Sequence, residues 1–92
     1  MKTKLLKIIN HYGINNQILM LVEEYGELLK ELCKMQRKNI DIEATKKKVE
    51  EEMTDVCVLL MQFANYYKLD IPNMSNIAWY KVDRQLGEIE NE

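Results

Sequence analysis

Ninety-two residues and 11.0 kDa make one domain, with no room for a second core. Hydrophobic residues are 47% of the chain and charged residues 30%, which suits a globular fold and excludes a disordered one. Thirteen Lys+Arg against fifteen Asp+Glu leave a formal charge of −2, whereas a nucleic-acid domain draws its affinity from a basic surplus.

Three Gly and one Pro supply too little turn chemistry for a β-sandwich or barrel, so the expected class is all-α. Cys33 and Cys57 form neither a CxxC motif nor a cluster with the single histidine, His11, and read as reduced thiols. The N-terminus breaks its apolar pairs with lysines and lacks the h-region of a signal peptide. No stretch approaches the ~18 apolar residues of a membrane span. The expectation is a cytoplasmic protein.

Apolar spacing divides the chain into four helices. The first spans about Thr3 to His11, with Leu5, Leu6, Ile8 and Ile9 apolar and Gly13 as its stop. The second follows Asn15 as N-cap and runs to about Lys38. Its apolar residues Ile18, Leu21, Val22, Tyr25, Leu28, Leu29 and Leu32 repeat at three and four, as one stripe. Asp41 caps a third helix that ends near Tyr67. Pro72 then fits the first turn of a fourth, striped by Ala78, Val82, Leu86 and Ile89. The run Lys46–Lys48 against Glu50–Glu52 reads as solvated pairing, for instance Lys46 with Glu50.

From Asp55 to Tyr67, ten of thirteen residues are apolar. A helix apolar nearly all round must be covered nearly all round, and four short helices do not suffice. A second subunit is the economical cover, so the chain is expected to form a homodimer or homotetramer.

The second and third helices each hold an i,i+3 acidic pair, Glu24/Glu27 and Glu52/Asp55. If the intervening turn centres near Asn39–Ile40, facing residues have numbers totalling about 79, and the two pairs fall at the same height. Glu52 lies inside the stripe of Val49, Val56, Leu60 and Phe63, while Asp55 and Glu24 lie at stripe margins. Like charges so placed take up protons or need cations between them. Mg²⁺ is the natural occupant, with Mn²⁺ as a possible substitute, because it prefers oxygen ligands and bridges carboxylates to phosphates. A di-iron site would need Glu-x-x-His pairs, which are absent.

Glu23-Glu24-x-x-Glu27 followed by Glu52-x-x-Asp55, with the segments Gln17–Lys30 and Tyr80–Gln85 around them, resembles the MazG-type all-α nucleoside triphosphate pyrophosphohydrolases over essentially the whole chain. The resemblance implies a four-helix fold that forms dimers or tetramers, with Mg²⁺ held at Glu24, Glu27, Glu52 and Asp55. It also implies cleavage of a (deoxy)nucleoside triphosphate between the α and β phosphates. Glu27 or Glu23 would take the proton of the attacking water. Phosphoribosyl-ATP pyrophosphohydrolase, which shares the general fold, is a related option. Lys81 and Arg84 have the right height to steady phosphates but sit opposite the apolar stripe of their helix, where Arg84 can instead pair with Glu88. Gln17, seven residues before Glu24, can hydrogen-bond a base or sugar. Trp79, Tyr12, Tyr66 and Tyr67 are candidates for base stacking and equally for core or interface. The contrasting reading is a non-catalytic helical oligomer that serves as an interaction module.

Overall fold

The computed structural model describes all 92 residues as four α-helices with no strand: α1 (Lys2–Tyr12), α2 (Ile14–Lys34), α3 (Ile42–Tyr66) and α4 (Ile71–Glu90). None of them is long and apolar enough to cross a membrane.

Local chemistry sets each boundary. Gly13, at φ 90°, ends α1 and starts α2 in a single residue. Its N–H donates to the Ile9 carbonyl at 2.8 Å, and its own carbonyl accepts from the Gln17 N–H at 3.1 Å. Only glycine takes so positive a φ without steric penalty. Because that carbonyl already opens the helix, Gly13 replaces the expected Asn15 as N-cap. The far end of α2 stops at Lys34, short of the expected Lys38. Asn39 then takes φ 61° inside the connection, a conformation asparagine tolerates well.

Asp41 caps α3 as the sequence indicates, its side chain accepting from the Ala44 N–H at 3.1 Å. That helix closes with the Leu69 N–H donating to the Ala64 carbonyl at 2.8 Å and the Lys68 N–H to Asn65 at 3.2 Å. Those two bonds are a Schellman closure, with Lys68 at φ 56° where glycine is usual. Asp70 then caps α4 through the Asn73 N–H at 3.1 Å, with Pro72 in the first turn. The Asp-Ile-Pro order carries that cap signal. Lys46 pairs with Glu43 at 3.6 Å and Lys48 with Glu51 at 3.9 Å, in place of the expected Lys46–Glu50 pair. Exposed pairs of this kind add little stability.

The packed unit is a hairpin of α2 and α3 with α1 laid across it. Ile9 is fully buried, and Leu5, Val49, Leu59 and Ala64 complete the apolar core. The inner seam of α2 is Gln17, Leu21, Glu24, Leu28 and Glu31, spaced four and three. Facing it on α3 are Thr45, Val49, Glu52, Val56, Leu59 and Phe63, with the same spacing. Alternating steps of four and three keep one face of a helix on its neighbour. Leu59 takes the inward place expected of Leu60, which is 50% exposed.

The residue numbers of the hydrogen-bonded pair Gln17 and Gln62 total 79, the expected register. No helix packs along α4, and none of its residues is buried.

Candidate metal centre

Two polar residues lie in the inner seam beside the acids and hold the hairpin's open end in register. The Gln17 Nε2 donates to Gln62 Oε1 at 2.8 Å, and the Asn16 Nδ2 donates to Gln17 Oε1 at 3.1 Å. Both glutamines are buried. Gln17 is thus bound to the protein itself, with its amide satisfied on both atoms, and its first role is to fix the alignment of α2 on α3. Near the closed end, buried Glu31 is neutralised by Lys34 one turn on, at 3.1 Å. The seam therefore places a paired polar group at either end and an unpaired acidic cluster between them.

That cluster is Glu24 from α2 with Glu52 and Asp55 from α3. One carboxylate oxygen from each lies within 4.8 Å of the others. Glu24 and Glu52 are half-buried and Asp55 is exposed. The Glu52 Oε2 is buried with no hydrogen-bond partner. A buried oxygen of this kind carries an uncompensated desolvation penalty. Burial raises the Glu24 carboxyl above its ordinary range, and the nearby acids Glu52, Asp55 and Glu27 push in the same direction. No side-chain cation is paired with Glu24, Glu52 or Asp55: the ion pairs of the chain lie elsewhere. Three carboxylate oxygens gathered without a countercharge could hold a metal ion.

The remaining acids of the motif are placed differently. Glu27 is exposed and outside the triad, yet close enough to repel the Glu24 charge. Glu23 is exposed, on the outer side of α2. A pocket of about 460 Å³ opens beside the triad, lined in part by Glu24 and Asp55 and continued by Tyr12, Asn16, Met20 and Val58. Its volume lies within the range of small-molecule sites.

Lys81 and Arg84 are both exposed on α4, outside this pocket. Arg84 Nε stands 4.0 Å from Glu88 Oε1, the i,i+4 pairing that its spacing allows. Trp79 is likewise exposed on α4, while Tyr66 and Tyr67 stack edge to face at the end of α3. Only Tyr12, among the aromatic candidates, borders the pocket. Sequence reasoning passed over Asn16 and Gln62. Their signal was their place in the register: Gln62 faces Gln17, and Asn16 adjoins it.

Compared with protein families, with curated proteins and with solved structures, the chain matches none of them.

Proposed function

We propose that this protein is a Mg²⁺-dependent nucleoside triphosphate pyrophosphohydrolase of the MazG type, acting in the cytoplasm on unwanted or excess nucleotides. The observation that carries the reading is the triad: carboxylate oxygens of Glu24, Glu52 and Asp55 within 4.8 Å, one Glu52 oxygen buried and unpartnered, and a pocket alongside. The ordered pair of acidic motifs, and the resemblance it carries, directs that chemistry toward a triphosphate rather than any other anion.

Glu24, Glu52 and Asp55 would hold the metal, with Glu27 at the margin of the set. The ion supplies charge neutralisation for the phosphates and a more acidic water. Hydrolysis adds water across the α–β anhydride: an oxygen–phosphorus bond forms at the α phosphorus, and the bond to the bridging oxygen breaks. The products are the nucleoside monophosphate and pyrophosphate. Glu27, exposed beside the triad, is the better placed carboxylate to accept the water's proton, while Glu23 lies further round the helix. The pocket would receive the nucleoside, with Tyr12 and Asn16 at its wall. Lys81 and Arg84 stand away from the triad of their own chain, so any phosphate contact they make would come from α4 of another protomer. The same family resemblance implies a homodimer or homotetramer.

The test is a panel of ribo- and deoxyribonucleoside triphosphates with Mg²⁺ or Mn²⁺, read separately for pyrophosphate and monophosphate. Both products should appear in equal amounts from at least one nucleotide. Glu52→Gln should abolish their release while leaving the helical circular dichroism intact. A folded wild-type protein that releases neither product across the panel is instead a non-catalytic helical module.

A further inference from the structure

The formal charge of −2, which argues against a nucleic-acid domain, conceals a segregation along the chain. Residues 1–22 carry three lysines and no acid, whereas the other seventy carry ten Lys+Arg against fifteen Asp+Glu. The lysines of that basic part all stand on α1. Every ion pair of the chain lies beyond it, so Lys2, Lys4 and Lys7 have no carboxylate partner.

Lys4, Lys7 and His11 are spaced three and four and therefore share one face of α1. All three are exposed, and none of their side chains makes a hydrogen bond within the chain. Like charges one turn apart repel, so Lys4 and Lys7 weaken the helix that carries them. The core is reached from another side of α1, through Leu5 and Ile9. Nothing inside the fold accounts for the stripe.

With Ile8 and Tyr12 the stripe lines a groove of about 390 Å³. Tyr12 is also a wall of the pocket beside the acidic triad, so the two recesses adjoin across one aromatic side chain. Its ring meets the His11 ring edge to face, with centroids 4.7 Å apart. Glu24 and Asn16 are eight residues apart on α2, about 12 Å of helix, and the stripe from His11 to Lys4 adds about 10 Å. A free nucleoside triphosphate with its phosphates at the triad ends within the first span. A single strand goes on, with a phosphate and a base at each further nucleotide. Cations that track a backbone beside an aromatic face are a recurring means of holding single strands. A lipid surface fits less well, because Leu5 and Ile9 are buried in the fold and are not free to insert.

We propose that the outer face of α1 is a track for a single-stranded oligonucleotide whose 5′-triphosphate end lies at Glu24, Glu52 and Asp55. The first nucleoside occupies the pocket, the strand passes Tyr12, and later phosphates lie on Lys4, Lys7 and His11. The proposal rests on the pyrophosphohydrolase reading and enlarges its substrate class. Water adds at the α phosphorus as before, pyrophosphate leaves, and the strand keeps a 5′-monophosphate.

Two measurements on the full chain test it. The first is fluorescence anisotropy with a 3′-labelled tetra-adenylate bearing a 5′-hydroxyl, in the presence of a chelator, which reads the track without metal or hydrolysis. Binding should weaken with salt at a log–log slope of about −1.4 to −2, the value for two or three neutralised phosphates on a single strand. The double substitution Lys4→Ala/Lys7→Ala should weaken binding about tenfold and flatten that slope. Both lysines are exposed, so helical circular dichroism should be retained. The second is pyrophosphate release with Mg²⁺ from 5′-triphosphorylated tetra-adenylate and from ATP. The strand should show the lower KM, and the double substitution should remove that advantage. Strand binding without release from either substrate would support the track and overturn the hydrolase reading alone. Release from ATP with no strand binding, or binding that the double substitution leaves intact, would overturn the track.

Discussion

Glu24 carries the clearest electrostatic consequence of the fold. Burial, reinforced by the charges of Glu52, Asp55 and Glu27, holds its carboxyl above the ordinary range. In the folded chain without metal, protonation of this group is therefore favoured relative to the unfolded chain. Its contribution to stability is fully present below the unfolded pKa and is lost as the pH rises through the raised folded value. Glu24→Gln removes that dependence. In the presence of a chelator, the variant should melt above the wild type at about pH 7 and level with it at about pH 4. Adding Mg²⁺ at the higher pH should raise the wild-type Tm and leave the variant's nearly unchanged, because a ligand stabilises only the state that binds it. Thermal melts of both proteins under these three conditions check the sign, and a variant that melts lower than the wild type at pH 7 without metal contradicts it. The sequence makes this residue conspicuous through the Glu24/Glu27 spacing. Helix rotation further places Glu52 inside its apolar stripe and Glu24 and Asp55 at stripe margins, but it sets Glu27 in the same group of facing acids. The structure brings Glu24, Glu52 and Asp55 together and keeps Glu27 at the rim.

Gln17 and Gln62 do at the level of helix pairing what the acids cannot, because the Gln17 amide donates to the Gln62 oxygen across the hairpin. Donor and acceptor meet at 2.8 Å with both residues buried, which penalises any slip of α2 along α3. Gln17→Leu strands the Gln62 oxygen in the seam and should destabilise the protein by about 1–3 kcal/mol. In a chain of this size, each kcal/mol is about 4–8 °C in Tm. The double substitution Gln17→Leu/Gln62→Leu should recover most of that loss, since no buried amide is left unpaired. A coupling of about 0.5–3 kcal/mol in the double-mutant cycle is the signature. Losses that simply add would show that the two amides do not act together. This register was legible from the sequence because the hairpin turn is short and α3 has a strong aspartate cap. Seam choice was not. On α2 the apolar residues occupy two adjacent stripes, and the inner one is the more polar, interrupted by Gln17, Glu24 and Glu31. A reading based on hydrophobicity merges the two stripes, since only the packing of α3 and α1 distinguishes them.

At the scale of the whole molecule, the shortage of buried surface and the placement of the acids meet in one requirement. The hairpin arranges the carboxylates, but eight buried residues give it little to resist their repulsion. If a second protomer covers the outer stripe of α2, the helix that carries Glu24 is clamped on two faces, and the acids are held together by packing outside the site itself. Folding and association would then be coupled, a lone protomer keeping only its α1–α3 unit packed and gaining stability from its partner. For such a dimer, a tenfold rise in protein concentration adds about 1.4 kcal/mol per mole of dimer, because unfolding releases two chains where one particle stood. The Tm should therefore climb steadily with concentration over several decades. Leu86→Glu should leave its low-concentration limit, with only α1–α3 packed, close to that of the wild type at the same dilution. A wild-type Tm independent of concentration would uncouple folding from assembly and return the burden of holding the acids together to the hairpin and its metal alone.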